Sequence, residues 1–75
     1  MMNAKAKILL VDDDPLLRSM LRMLFEEEKG HYEVLEASGV IEGLEAAANC
    51  VPHLIIVDVM MSRLTGVDFI VGIRS

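Results

Sequence analysis

Four aspartates stand where two apolar runs of this 75-residue chain give way to polar sequence. Asp12, Asp13 and Asp14 follow the run KILLV at residues 7–11, and Asp58 lies near the end of HLIIVDV at residues 53–59. An ionisable group that ends an apolar strand must gain something from its place, because an unpaired charge beside apolar surface is costly. If the two runs are neighbouring parallel strands, Asp12, Asp13 and Asp58 converge in one crevice at their C-terminal ends, where open α/β sheets hold ligands. Carboxylates that close repel and raise one another's pKa values unless a cation neutralises them. A hard divalent ion, Mg²⁺ or Mn²⁺, held by one or two carboxylates with waters completing the octahedron, answers that chemistry. Asp14 reads differently. It directly precedes Pro15, and an aspartate at the N-cap with proline at the first helical position is a helix-start signal. Caps and turns explain many aspartates after strands, and they would explain Asp12 and Asp13 alone about as well as function does. It is the third acid, Asp58, that tips the balance toward a site.

The elements that must position these acids follow from periodicity. KILLV is a continuous apolar run of the kind a parallel strand covered on both faces requires. A helix over residues 15–29 carries Leu17, Met20, Leu21, Leu24 and Phe25 as one stripe, with Arg18, Arg22 and Glu26 opposite and Gly30 as its C-cap. YEVLEA at residues 32–37 alternates as a partly exposed edge strand does. Ser38 would cap a second helix over residues 39–49, with Val40, Leu44 and Ala47 or Ala48 inward and Glu42 and Glu45 outward, ended before Pro52. HLIIVDV is the candidate central strand. A loop over residues 60–66 then leads into a third helix from about Val67. The order βαβαβα predicts a parallel sheet with right-handed crossovers and helices on its faces. With three strands and between two and three helices, it reads as half of a doubly wound domain, a single partial domain over residues 1–75.

Composition bounds the function. Hydrophobic residues make up 53% of the chain, enough for a core, but a chain of this length sits near the lower limit at which one core suffices. The net charge of −5, with Lys and Arg scattered, argues against a nucleic-acid partner, which needs a basic face. A single cysteine, Cys50, excludes a disulfide framework and reads as a small buried hydrophobe of a reducing compartment. The apolar runs are too short to span a membrane, and the N-terminus lacks a signal-peptide core, so a cytoplasmic protein is expected. His31 and His53 have no spaced partners and read as structural or solvated.

The stretches ILLVDDDPLLR at residues 8–18 and LIIVDVMMSRLTGVDFI at residues 54–70 resemble the receiver domain of bacterial two-component response regulators, a flavodoxin-like fold. They carry that family's acid pair, its phosphoacceptor aspartate, the methionine three residues beyond it at Met61 and the loop glycine at Gly66. The resemblance implies strand order 2-1-3. It also implies Asp58 as the nucleophile that takes a phosphoryl group from a sensor histidine kinase or phosphotransfer protein. Asp13 and Asp58 would ligate Mg²⁺ directly, Asp12 largely through water, and the Met60 carbonyl would complete the protein ligands, with Met61, Ser62 and Arg63 in the loop beside the phosphate.

Two departures from the family pattern stand out. Ser62 occupies the place where the family usually has proline, which should leave that loop looser. The family's last two strands, with their hydroxyl, lysine and aromatic switch residue, have no counterpart in these residues, and no lysine follows Lys29. Arg63 could substitute electrostatically in part, although as a loop cation it reads first as a solvated surface charge. The third strand would then be an edge, and an exposed LIIV edge is a template for a homodimer in which third strands meet, or for a higher oligomer. Two other readings stay open: a half-domain that self-associates without phosphotransfer, and a haloacid-dehalogenase-type phosphohydrolase built on Asp12 and Asp14. The latter expects a small hydroxyl or branched residue where Leu16 stands.

Overall fold

The computed structural model describes residues 5–27, 30–58 and 66–74. Its elements run β1 (Ala6–Val11), α1 (Pro15–Glu26), β2 (Tyr32–Ala37), α2 (Val40–Cys50), β3 (Leu54–Val57) and α3 (Gly66–Arg74). The strands form one parallel sheet in the order β2-β1-β3, so the expected topology and the edge position of β2 both hold.

β1 shows why a continuous apolar run was needed. Its alternate residues face opposite ways, and both faces are covered. Leu9 and Val11 join Ala37, Val40 and Phe69 in a cluster beneath α2 and α3, with Leu35, Leu44, Ala47, Ile55 and Val57 packed around it. Ile8 and Leu10 join Val34 on the other face, where Leu21 and Phe25 of α1 and Tyr32 and Ile56 close over them. The Phe25 and Tyr32 rings meet edge to face with centroids 5.5 Å apart, a geometry that adds to their area burial.

α1 corrects the sequence expectation. Leu21 and Phe25 point inward, but Leu17, Met20 and Leu24 are exposed, and Arg18 and Arg22, expected opposite, reach the sheet. Exposure of part of the stripe accords with a chain that lacks the family's last helices, which would cover it. Glu36 lies two residues from Val34 on the same face of β2 and receives both cations. Arg18 Nε donates to Glu36 Oε1 at 3.0 Å and Arg22 Nη1 to Glu36 Oε2 at 2.5 Å, while Arg22 Nε also pairs with Glu26 at 3.1 Å. The hydrogen bond from Arg22, aided by that from Arg18, holds the Glu36 carboxyl below the usual glutamate range against the opposing effect of burial.

Other boundaries shift locally. α1 ends at Glu26 with Glu27 as its cap, and the expected last residues, Glu28 and Lys29, lie outside the described residues. Gly30 serves instead in the turn into β2, at φ 78°, a conformation open to glycine at little cost. The cap of α2 is Gly39, not Ser38, whose hydroxyl bonds the Glu42 carboxylate at 2.9 Å. Cys50 is half-buried. His53 Nδ1 accepts from the Lys7 amide at 2.9 Å while the His53 amide donates to the Lys7 carbonyl at 2.8 Å, so its imidazole extends the β1–β3 ladder. Among the described residues no helix is long and apolar enough to cross a membrane.

α2 and α3 meet through two glycines whose surroundings differ. A Cβ at buried Gly43 would stand 2.7 Å from the Phe69 ring and 3.0 Å from Val11, both fully buried, whereas one at Gly72 would meet only the methyl end of Leu44 at 2.9 Å. A strained contact against core atoms costs about 1–3 kcal/mol and outweighs the roughly 1 kcal/mol helix-propensity gain of alanine over glycine. Gly43→Ala should therefore lower the melting temperature by several degrees, while Gly72→Ala, where a flexible side chain can yield, should be neutral or stabilising. Thermal denaturation of both variants reads the difference.

The lowered Glu36 pKa has a definite sign. A carboxylate whose folded pKa lies below its unfolded value stabilises the fold above the unfolded pKa, and that contribution is lost as pH falls through the folded value. Melting temperature should therefore drop more steeply for the parent chain than for Glu36→Gln as pH falls below the ordinary glutamate range. Parallel slopes for the two in melts across acid pH would show that the ion pairs contribute nothing to folding.

Candidate functional site

The ends of β1 and β3 create the site. Register pairs Val11 with Val57, so the next residues, Asp12 and Asp58, leave the sheet side by side. The Asp58 amide donates to the Val11 carbonyl at 2.9 Å, carrying the ladder one step past β3 and fixing where the Asp58 side chain begins. On the other flank the Asp12 amide donates to the Ala37 carbonyl at 3.1 Å, so the end of β1 is held from both neighbouring strands.

One carboxylate oxygen each from Asp12, Asp13 and Asp58 lies within 4.8 Å of the others. Asp12 is buried, Asp58 half-buried and Asp13 exposed, so the cluster runs from the sheet outward to solvent. The donor set consists of hard oxygens at three depths. That fits a small divalent cation, which takes one or two carboxylates and keeps several waters on its open side. It does not fit a thiolate- or imidazole-preferring metal.

The loop between β1 and α1 is ordered by its own aspartates. Asp12 Oδ1 accepts from the Asp14 amide at 2.9 Å, and Asp14 Oδ1 accepts from the amides of Leu16 at 3.0 Å and Leu17 at 3.4 Å. Asp14 is thus the N-cap of α1, with Pro15 opening the helix. It takes no part in the acid cluster.

Two residues near the site were not foreseen as part of it. Arg18 Nη1 donates to the Asp12 backbone carbonyl at 2.6 Å while its Nε holds Glu36. The available signal was an arginine four residues after the Asp14 cap, together with an isolated glutamate in the inward register of β2 next to Val34. Hydrophobic periodicity passes over both, because it assigns charged residues to solvent. The expected loop residues Met60, Met61, Ser62 and Arg63 lie outside the described residues.

Comparison with known proteins agrees with this geometry. The family model of the response regulator receiver domain matches residues 8–75. A nitrate/nitrite response regulator protein homolog of Haemophilus influenzae is 36% identical over 74 residues, covering 99% of this chain and 36% of that protein. The transcriptional regulatory protein BtsR of Escherichia coli is 34% identical over 64 residues, 85% of this chain and 27% of that protein. Among solved structures, the chemotaxis protein CheY4 of Vibrio cholerae superposes with a TM-score of 0.88 at 35% identity, covering 95% of this chain and 57% of that one. A LuxR-family two-component response regulator from Aurantimonas superposes with a TM-score of 0.84 at 30% identity, covering 95% of this chain and 51% of that one. The chain thus spans about half the length of these solved structures and about a third of the curated relatives. With a matching family model over nearly all its residues, the same parallel sheet and an acid cluster at the sheet's C-terminal edge, the chain belongs to the response regulator receiver domain family of two-component systems.

Proposed function

We propose that the chain is the phosphoacceptor portion of a receiver, in which Asp58 takes a phosphoryl group from the phosphohistidine of a sensor histidine kinase or phosphotransfer protein. The observation that carries this reading is the convergence of Asp12, Asp13 and Asp58 carboxylates at the ends of adjacent strands. Asp13 and Asp58 would hold Mg²⁺ directly and Asp12 through water, with the Met60 carbonyl assigned by family resemblance. Mg²⁺ bound there supplies positive charge against the anionic oxygens of the phosphoryl group.

The chain's own residues do the rest. An ionised Asp58 oxygen attacks phosphorus in line, the P–N bond to the donor imidazole breaks with its electron pair passing to nitrogen, and an aspartyl phosphate results. Half-burial at the strand end limits the directions from which Asp58 can be approached, and the Asp58 amide bond to Val11 keeps its backbone fixed during the transfer. Buried Asp12 is tied to the Asp14 amide through Oδ1 and contributes one carboxylate oxygen to the cluster. The product is a modified protein, so the reaction is a single self-modification without turnover.

Incubation with Mg²⁺ and acetyl phosphate, followed by intact-mass measurement, tests this. One phosphoryl adduct is expected on the parent chain, none on Asp58→Asn, and none when EDTA replaces Mg²⁺. Asp13→Asn should weaken Mg²⁺ binding by more than about tenfold. A folded parent chain without adduct, or an adduct that survives in Asp58→Asn, would remove Asp58 from the role of acceptor.

A further inference from the structure

We propose that Arg18 is a positioning residue of the cation site: held by Glu36, it clamps the Asp12 carbonyl and so fixes the direction in which Asp13 is presented. The proposal deepens the phosphoacceptor reading and rests on it.

The peptide plane between Asp12 and Asp13 is the place where Arg18 acts. Upstream, the Asp12 amide is fixed on the Ala37 carbonyl at 3.1 Å. The Asp12 side chain is fixed on the Asp14 amide at 2.9 Å. Neither bond sets the rotation of the peptide plane that joins Asp12 to Asp13. The carbonyl of residue 12 and the amide of residue 13 share one rigid plane, so anchoring the carbonyl oxygen sets where the Cα of residue 13 departs. Arg18 Nη1 provides that anchor at 2.6 Å.

Arg18 can serve as an anchor because it is itself immobilised. Its side chain is only 17% exposed, and its Nε is bonded to Glu36 Oε1 at 3.0 Å. The planar guanidinium places Nε and Nη1 in a fixed relation, so bonding Glu36 with one aims the other. Glu36 in turn is braced through its second oxygen by Arg22. A lysine could satisfy the carbonyl or the carboxylate, but it lacks a fork that holds both at once. Arg18 also carries no uncompensated charge into the acid cluster, because Glu36 neutralises it. Its contribution is therefore geometric, and it should assist cation binding where a bare cation beside the site would compete with it.

The test separates this role from a general contribution to stability. Mn²⁺ binding to the chain is titrated by the loss of the free-ion electron paramagnetic resonance signal, alongside thermal melts without metal. Arg18→Met should raise the Mn²⁺ dissociation constant by about tenfold, the lower end of what loss of a residue supporting a metal ligand costs. Phe25→Leu removes an apolar contact of the same helix against Tyr32, at the end of the sheet away from the acids. It should lower the melting temperature while leaving the dissociation constant within about twofold of the parent. Arg18→Lys, which keeps the charge and the stem, should fall between the parent and Arg18→Met, and it keeps the test open if the methionine variant does not fold. Unchanged affinity in both Arg18 variants overturns the proposal, as does tighter binding, which would make Arg18 a competitor of the cation. An equal loss in Phe25→Leu overturns it too, since the effect would then follow stability. A parent chain that binds no Mn²⁺ overturns the phosphoacceptor reading itself, an outcome distinct from a binding parent with indifferent variants.

Discussion

The parallel pairing of β1 with both of its neighbours is the constraint on which everything else depends. Val11 stands beside Ala37 on one side and Val57 on the other, so three strand ends are brought level. From that alignment Asp12 and Asp58 emerge together, and the Glu36 carboxylate lies one residue back on the adjoining strand. The register that buries Leu9 and Val11 on one face and Ile8 and Leu10 on the other also sets the distance between the acids. Because a slip of one residue would turn every side chain of β1 to the wrong face, the apolar contacts enforce the register that the chemistry needs.

The two faces of the sheet are covered in different ways. Beneath α2 and α3 the contact is apolar and close: Phe69 is fully buried, and Gly43 lets α2 approach the strand and the ring. Beneath α1, among the described residues, Leu21 and Phe25 pack on the buried cluster, and the end nearest the site is ionic. This asymmetry keeps an ordered polar network at the C-terminal edge of the sheet, where a charged reactant must be met. The opposite arrangement, with Phe69-like packing over Glu36, would leave a carboxylate without partners.

Much of this was legible in the residues. Continuous apolar runs marked β1 and β3, alternation marked β2, and the Asp14-Pro15 pair marked the start of α1 to the residue. The convergence of Asp12, Asp13 and Asp58 followed from strand adjacency alone, since a parallel sheet places strand C-termini on one edge. The rotation of α1 did not follow, because periodicity weighs apolar residues and is silent about a charge on the opposing surface. Of the single stripe Leu17, Met20, Leu21, Leu24 and Phe25, the sheet takes Leu21 and Phe25, while Arg18 and Arg22 beside them meet Glu36 on β2. Ser38 misled for a related reason: its hydroxyl had a choice between orphan amides and the nearby Glu42 carboxylate, and took the latter.

The ionic end of α1 has more to do with orientation than with stability. Ion pairs that are only half-buried contribute little net free energy, because desolvation offsets much of their attraction. A helix seated on a strand by two apolar side chains can roll about its axis at small cost, since such contacts have no direction. Hydrogen bonds from a planar guanidinium do have direction. Glu36 receives Arg18 and Arg22 on separate oxygens, one helical turn apart, which sets both the roll of α1 and its position along β2. The Asp14 cap fixes the same helix at its first turn, within the loop that holds the acids. With its roll and its start both determined, α1 can deliver the Arg18 guanidinium to the Asp12 carbonyl. Glu36 thereby governs a site it does not touch, through a helix whose apolar contacts alone would leave its rotation open.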